Sequence, residues 1–399
     1  MTEIGEVATV PGFSANGVHA GIKTDERKDL ALIFSSSPAR AAGVFTTNSF
    51  PAAPVLVDME RIKSGTAQAI LANSGNANAA TGEEGYADAL ATSRAASGGL
   101  GISDELVLIA STGIIGQRLP VRKIIEGMDG LVEGLRPGGI AAAEEAIMTT
   151  DKFPKMSQRK AMVGGKEITL CGIAKGAGMI SPTMATMLAF FLTDADIEAS
   201  ALRVVFRQSV NKTFNAITVD GCMSTNDTAL ILANGLASNK TIRRGAKDFS
   251  LFKEILCSTM LELAEAIVRD GEGATKVMEV TIEGASSVAN ARKVAYAVAN
   301  SNLVKTAFFG CDPNWGRIIS AIGSVNIPLC AGSVKVFLED VPLFANGSGI
   351  TGYEPRLAEI MAQPYIKLKV NLGMGNRFFR VLASDLGYDY VKINAHYHT

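Results

Sequence analysis

The sequence predicts a layered α/β fold of the α+β kind, in which stacked helix and sheet layers alternate irregularly along the chain. The 399 residues are 47% hydrophobic, which is enough apolar material for two or three domain-sized units. Segments with helical apolar spacing are interspersed with short apolar runs bounded by turn residues. No internal repeat and no low-complexity linker separates them. This pattern favours mixed layers over a regular βαβ repeat.

Three segments have the apolar spacing of amphipathic helices. The first begins at Pro120, which is well suited to the first helical position. The second begins near Asp196. The third has Asp248 as its predicted N-cap, Arg269 near its end and Gly271 just beyond it. In chain order, the predicted apolar faces are Ile124, Ile125, Met128, Leu131 and Val132; Leu202, Val205, Phe206 and Val210; and Phe252, Leu256, Met260, Leu263 and Ile267.

Short apolar runs between turn residues predict the strands. In chain order the predicted strands are Leu30–Phe34, Ala69–Ala72, Leu106–Ala110, Thr228–Ala233, Val277–Ile282, Val334–Leu338 and Lys367–Leu372.

The charge balance argues against a nucleic-acid partner, because 38 basic and 39 acidic residues leave a net charge of −1. The most apolar stretch, Met184–Leu192, is about half the length needed to span a bilayer, so no membrane partner is expected. The first residues are acidic and lack the apolar region of a secretory signal. The five cysteines form no CxxC pair and predict reduced, mostly buried thiols in a cytoplasmic protein.

Histidine is scarce, since His19, His396 and His398 are the only three. Histidine-based triads and histidine-rich metal sites therefore have few available members, and no metal is predicted. Glycine is abundant, with 40 residues, and several glycines cluster with polar residues, as in Ser111-Thr-Gly-Ile-Ile-Gly and Asp270-Gly-Glu-Gly. Each cluster alone is typical of a tight turn. No P-loop or dinucleotide-binding string occurs, so a nucleotide cradle is not supported.

The most informative segment runs from Ala174 to Ala195. A glycine turn, Lys175-Gly-Ala-Gly, leads through Pro182 to Ala185-Thr186 and then to an apolar, strand-like run. From the residues alone this is a loop that enters a buried strand, and a threonine in that position is more often structural than catalytic.

The segment closely resembles the self-cleavage motif of the ornithine acetyltransferase family, K-G-x-G-M-I-x-P-x-M-A-T-M-L, which is cut before its threonine. The resemblance covers nearly the whole chain and is specific because many short strings match in order. These strings are Gly17-Val-His-Ala-Gly-Ile-Lys, Ala42-Gly-Val-Phe-Thr-Thr-Asn, Asn73-Ser-Gly-Asn-Ala-Asn-Ala, Ser111-Thr-Gly-Ile-Ile-Gly, Thr149-Thr-Asp, Ile217-Thr-Val-Asp-Gly, Ser224-Thr-Asn-Asp-Thr, Asp312-Pro-Asn-Trp-Gly-Arg and Tyr388-Asp-Tyr-Val-Lys-Ile-Asn-Ala.

The resemblance implies a DmpA-like fold of the N-terminal-nucleophile type and a cut between Ala185 and Thr186. The products would be an α chain, 1–185, and a β chain, 186–399.

The implied chemistry of the nucleophile agrees with the scarcity of histidine. A threonine hydroxyl needs a base to take its proton, and the freed α-amine of Thr186, with a reference pKa of about 8, can act as that base.

The family also implies roles for other residues. Its S-T-G string places the oxyanion donors at Thr112 and Gly113. Its substrate-binding positions fall on Thr149, Lys175, Thr186, Glu272, Asn394 and Thr399, and the first of these matches either Thr149 or Thr150. Lys175 would pair with a carboxylate, and Glu272 would face a cationic group. Asn394 and Thr399 require a docked C-terminus, for which Tyr388, Tyr390, Val391 and Ile393 are the predicted apolar anchors. The segment with Cys222 and Met223 departs from the family pattern, which predicts one or two polar residues in place of Cys222 or Met223.

The implied reaction moves the acetyl group of N-acetylornithine to glutamate through an acetyl-threonine intermediate, and it releases ornithine and N-acetylglutamate. No cofactor is implied. Some members of the family also accept acetyl-CoA as donor, which leaves a second activity open. The family assembles two α and two β chains. Two alternatives remain at the level of sequence: a related self-cleaving amidase or aminopeptidase that passes the acyl group to water, and an uncut glycine-rich binding protein.

Overall fold

In the computed structural model, residues 8–181 and 187–396 are described, and they form two β-sheets with helices packed on their faces. The first sheet has the order β4-β3-β2-β9-β7-β6-β5, with β1 paired to β2, and the second has the order β13-β12-β11-β14-β10-β15-β8. The strands are β1 Phe13–Val18, β2 Leu30–Phe45, β3 Thr66–Asn76, β4 Val107–Ile114, β5 Met156–Val163, β6 Lys166–Lys175, β7 Leu188–Thr193, β8 Ile217–Thr218, β9 Thr228–Ala233, β10 Val277–Ala285, β11 Lys335–Leu338, β12 Val341–Ala345, β13 Ser348–Gly349, β14 Tyr365–Asn371 and β15 Arg377–Ser384.

The helices pack against the strands of both sheets. They are α1 Ala53–Arg61, α2 Gly82–Leu100, α3 Val121–Glu126, α4 Met128–Glu133, α5 Ile140–Ile147, α6 Ala199–Lys212, α7 Lys247–Arg269, α8 Val288–Ala299, α9 Asn302–Phe309, α10 Trp315–Gly323, α11 Glu354–Met361 and α12 Tyr388–His396. No helix within the described residues is both long enough and apolar enough to cross a membrane.

The layered α+β class is confirmed, and so are the seven predicted strands. Several extend beyond the apolar run that predicted them, and the predicted end residues Leu106, Val334 and Leu372 lie just outside their strands. Helices α6 and α7 pack against β6, β7 and β9 in one core, and α8 packs with β10 and β15 of the second sheet in another. Strand β7 is buried at every residue, which explains why it reads as a continuous apolar run rather than an alternating one.

Strand β2 bends the first sheet so that its two halves face each other. Its pairing with β3 shifts register between Phe34 and Ala39, and irregularities of this kind bend a strand. Before the shift β2 pairs with β1 and β3. After it β2 pairs with β3 only at Ala39 and Arg40, and with β9 from Arg40 to Phe45. Ile70 and Leu108 of the first half share a core with Ile173 and Phe190 of the second. The ends of β4 and β6 can therefore meet although they lie in different halves.

The helix predictions need three corrections at their ends. Helix α7 buries the whole predicted apolar face, but its N-cap is Ala246, and Asp248 lies in the first turn, where its charge favours the helix dipole. The segment after Pro120 forms two short helices instead of one, because Gly127, a weak helix former, lies where they meet. Helix α6 begins at Ala199, three residues later than predicted from Asp196.

The prediction of mostly buried cysteines was wrong. All five thiols are free, but only Cys171 is buried, and Cys222, Cys311 and Cys330 are exposed. Apolar neighbours in the sequence did not predict burial here because these three cysteines lie in turns and loops outside the helices and strands.

Candidate active site

The ends of β4 and β6 meet at a pocket of about 130 Å³, which is also lined by the loop after α5, the turn after α7 and the C-terminal helix α12. The pocket brings together all of the predicted site residues that the structure describes. Those that line it are Thr112, Gly113, Thr149, Thr150, Lys175, Glu272 and Asn394. Ala185, Thr186 and Thr399 lie outside the described residues, so their places in the site stay predictions, as do the roles of the others.

Thr112 and Gly113 occupy the end of β4, beside the parallel strand β3. Gly113 has φ +134°, and a Cβ there would approach the Gly75 carbonyl carbon to 2.4 Å and the Asn76 nitrogen to 2.5 Å. Only glycine fits this position. The Nδ2 of Asn226 donates to the Ser111 carbonyl at 2.8 Å and so fixes the backbone just before Thr112. The Thr112 and Gly113 pair is therefore rigidly held at the pocket wall.

Lys175, at the end of β6, is only 3% exposed, and its Nζ donates to Thr112 Oγ1 at 3.3 Å. Because the Thr112 oxygen accepts this bond, its own proton is available to a ligand in the pocket. Burial lowers the pKa of Lys175, against the opposing carboxylates of Asp151, Glu272 and Asp227. The pocket thus contains a desolvated cation next to a hydroxyl donor.

Glu272, in the turn after α7, contributes a carboxylate to the pocket, whereas Lys175 contributes a cation. Its Oε2 accepts from Asn394 Nδ2 at 2.7 Å, and its N–H donates to the Ala177 carbonyl at 2.8 Å. A Cβ on Gly178 would lie 2.5 Å from the Glu272 carboxylate, so the glycine turn predicted after Lys175 is needed for this close approach. Glu272 is buried rather than solvated.

Helix α12 reaches the pocket through Tyr390 and Asn394. The Tyr390 hydroxyl donates to Asp220 Oδ2 at 3.3 Å. The prediction that four apolar residues anchor the tail was partly wrong, because Tyr388 and Val391 are 84% and 66% exposed and no residue of α12 is fully buried. Tyr388 does pack edge-on against Phe309, with ring centroids 5.6 Å apart, and polar contacts at the pocket add to this contact.

Sequence reasoning did not assign a role to Asp220, Asn226 or Asp227, although all three lie in strings that carried the family resemblance. Asp220 accepts from the N–H groups of Met179 and Ile180 at 2.6 and 3.0 Å and so holds the loop that leads to Pro182. Asp227 is fully buried. Burial raises the pKa of Asp227 well above its usual range, against nearby groups that include the Met187 N–H.

Met187, the first described residue after Thr186, lies next to Thr228 and just before the start of β7. Its carbonyl accepts from the Thr228 N–H at 3.1 Å, and the next residue, Leu188, pairs with Lys175 on one side and Thr228 on the other. The strand that follows Thr186 therefore begins beside the pocket-lining Lys175. Among the described residues, no group of three or more His, Cys, Asp or Glu side chains is arranged to hold a metal ion.

The family model and the curated relatives identify one family. The model of the ArgJ family matches residues 14–399. A relative from Geobacter sulfurreducens, "Arginine biosynthesis bifunctional protein ArgJ", is 49% identical over 391 residues, covering 98% of this chain and 100% of the relative. A relative of the same name from Caldanaerobacter subterraneus subsp. tengcongensis is 47% identical over 399 residues, covering 99% of each chain. A crystal structure of the argJ protein of Bacillus halodurans is 38% identical, covers 51% of this chain and 96% of that chain, and superposes with a TM-score of 0.49.

Proposed function

Because the chain belongs to the ArgJ family, we propose that it transfers the acetyl group of N-acetylornithine to glutamate through an acetyl ester of Thr186. The observation that carries this proposal is the pocket in which Thr112, Gly113, Lys175 and Glu272 converge. An amino-acid substrate carries both a carboxylate and an ammonium group, and this pocket offers a buried cation and a buried anion. The names of the relatives, which place them in arginine biosynthesis, support the same substrates.

The nucleophile is made by a cut between Ala185 and Thr186, which divides the chain into α, 1–185, and β, 186–399. The Thr186 hydroxyl attacks the Ala185 carbonyl, its proton passes to the Thr186 nitrogen, and the peptide carbon–nitrogen bond breaks, which forms an ester and frees the α-amine. Water then hydrolyses the ester, which releases the Ala185 carboxylate and restores the Thr186 hydroxyl. That amine is the general base of the later steps, so that base and nucleophile belong to one residue. The three histidines of the chain are not required.

Acetyl transfer then takes two steps. The Thr186 hydroxyl loses its proton to the α-amine and attacks the acetyl carbonyl of N-acetylornithine. The Thr112 hydroxyl and the Gly113 N–H donate to the oxyanion. The carbon–nitrogen bond breaks, the proton passes to the leaving amine, and ornithine departs. The amine of glutamate next attacks the acetyl ester, and the α-amine of Thr186 takes and returns the proton as the ester bond breaks.

Charge complementarity orients the substrates. Lys175 binds a carboxylate, and Glu272, held by Asn394, binds an ammonium group. Thr149 or Thr150, Thr186 and Thr399 complete the binding set by their match to the family. Since the relatives are named bifunctional, we also propose acetyl-CoA as an alternative acetyl donor at the same threonine. We propose two α and two β chains as the assembly, which the native mass of the purified protein tests.

Intact mass measurement and N-terminal sequencing of the purified protein test the cut. We expect two chains, one of which begins at Thr186, and a single uncut, inactive chain for Thr186→Ala. A second N-terminus at another residue, or an uncut active protein, contradicts the proposal.

Transfer assays with labelled N-acetylornithine test the reaction. With label in the acetyl group, we expect label in N-acetylglutamate and ping-pong kinetics. With label in the ornithine moiety instead, we expect exchange between N-acetylornithine and ornithine in the absence of glutamate. Release of labelled acetate at the same rate with and without glutamate would identify an amidase instead. The same assay with labelled acetyl-CoA tests the second donor.

A further inference from the structure

A fully buried ionic cluster lies behind the pocket and has no part in the mechanism described so far. Lys155 Nζ lies 2.7 Å from Asp151 Oδ1 and 2.6 Å from Asp270 Oδ2, and all three side chains are completely buried. Burying charges costs free energy that their attraction recovers only with good geometry, so such a cluster is weak evidence for stability alone. Its connections point to a different role.

Asp151 joins three segments of the chain at one carboxylate. Its Oδ1 accepts from Lys155 Nζ and from the Gly176 N–H, the latter at 2.7 Å. Its Oδ2 accepts from the Thr149 N–H at 2.9 Å. Asp270, across Lys155, accepts from the Lys152 N–H at 3.0 Å.

Each anchor of the cluster is next to a group that lines the pocket. Gly176 follows Lys175, and Asp270 lies two residues before Glu272. Thr149 lines the pocket and is itself bonded to Asp151. The cluster therefore sets the separation between the cation and the anion of the pocket.

The charges around Lys175 come from several elements. Asp151, Glu272 and Asp227 favour its protonated form, whereas Lys155 and the loop residue Lys23 oppose it. Burial alone would raise the pKa of Asp151, but Lys175 and Lys155 hold that pKa down at about 2. Asp151 is thus an anion throughout the working pH range, and it is the strongest of the groups that keep Lys175 charged.

We propose that Asp151 is a positioning residue that keeps Lys175 charged and at a fixed distance from Glu272, so that the pocket selects substrates carrying both a carboxylate and an ammonium group. This inference rests on the proposed acetyl transfer. Asp151 does not touch the substrate; it acts through Lys175, Gly176 and Thr149.

The test is Asp151→Asn, which preserves the shape and the Oδ1 acceptor and removes the charge together with the Oδ2 acceptor of the Thr149 N–H. We expect the KM for N-acetylornithine and for glutamate to rise about tenfold, the factor that corresponds to one pKa unit of lost interaction. We expect kcat to change less than about threefold, because lost ground-state binding raises KM and leaves kcat. The alkaline fall of kcat/KM should begin at lower pH, since Lys175 loses its proton more readily without Asp151.

The matched control is Asp194→Asn, at the opposite end of the same sheet. Asp194 is also buried and accepts a backbone N–H, that of Thr169 at 2.7 Å, but it does not line the pocket. Asp194→Asn should keep the wild-type KM for both substrates, and its kcat/KM should fall at the same alkaline pH as in the wild type. A second variant, Lys155→Gln, keeps two N–H donors between the carboxylates and should move the alkaline limb to higher pH, because Lys155 opposes the charge on Lys175.

The inference is overturned if folded Asp151→Asn keeps the wild-type KM values and its kcat/KM falls at the same alkaline pH as in the wild type. A lower kcat at constant KM would also overturn it. If Asp151→Asn does not fold, the direction of the Lys155→Gln shift decides: an upward shift supports the inference, and no shift overturns it. Failure of the proposed function would be seen in a different protein. The wild-type enzyme itself would then transfer no acetyl group to glutamate, whatever the variants do.

Discussion

Replacing Thr112 with valine removes one hydroxyl from the pocket and keeps nearly the same side-chain shape. Thr112 is 3% exposed, and its oxygen accepts from the buried Lys175 Nζ at 3.3 Å. Two effects follow from the loss of that oxygen. The oxyanion loses one of its two proposed donors, which costs roughly 10²–10³ in kcat. Lys175 also loses an acceptor in a buried place, which costs roughly 1–3 kcal/mol of stability.

Two measurements separate these effects. Steady-state acetyl transfer from N-acetylornithine to glutamate reports the loss in kcat, and denaturant unfolding reports the loss of stability. In Thr112→Val we expect the large loss in kcat and a smaller change in KM, because the oxyanion forms only in the transition state. Thr112→Ser is the control, since it keeps the hydroxyl and should stay within about tenfold of wild type. A Thr112→Val enzyme with unchanged kcat would remove this hydroxyl from the mechanism and leave Gly113 as the remaining donor.

Three further perturbations test other parts of the structure. Gly113→Ala forces a Cβ to within 2.4 Å of the β3 backbone, so we expect loss of both self-cleavage and transfer, read by gel and assay; normal cleavage would show that the strand can move. Deletion of residues 394–399 removes the partner of Glu272 and should impair transfer while two chains still appear on a gel; full activity in that cleaved protein would make the tail mere packing. Burial raises the pKa of Glu144 from 4.5 to about 7 in the folded protein, so its contribution to stability is present below pH 4.5 and is lost as pH rises through 7. Glu144→Gln should therefore be more stable than wild type at pH 8 by up to about 3 kcal/mol and not at pH 4, as urea unfolding measures, and an equal difference at both pH values would contradict this.

Much of the architecture was predictable because its signals are local. The apolar runs that became β9 and β10 and the apolar face of α7 follow from side-chain periodicity, which depends only on near neighbours. The break at Gly127 was missed because helical spacing continues across it, and only the competition between weak propensity and packing ends α3 there. The docking of α12 was assigned to apolar residues, whereas the structure shows polar contacts at the pocket as well as the packing of Tyr388 on Phe309.

By itself, the sequence determined which residues carry the proposed chemistry: a threonine after a flexible glycine turn, few histidines, and ordered strings that resemble one family. Only the tertiary structure decided that Lys175 reaches Thr112, 63 residues away, and that Asn394 reaches Glu272, 122 residues away. It also revealed the buried contacts of Asp151, Lys155 and Asp270. The physical reason is that strand β2 bends and brings the two halves of its sheet together, and buried ionic contacts between distant segments leave no periodicity in the sequence.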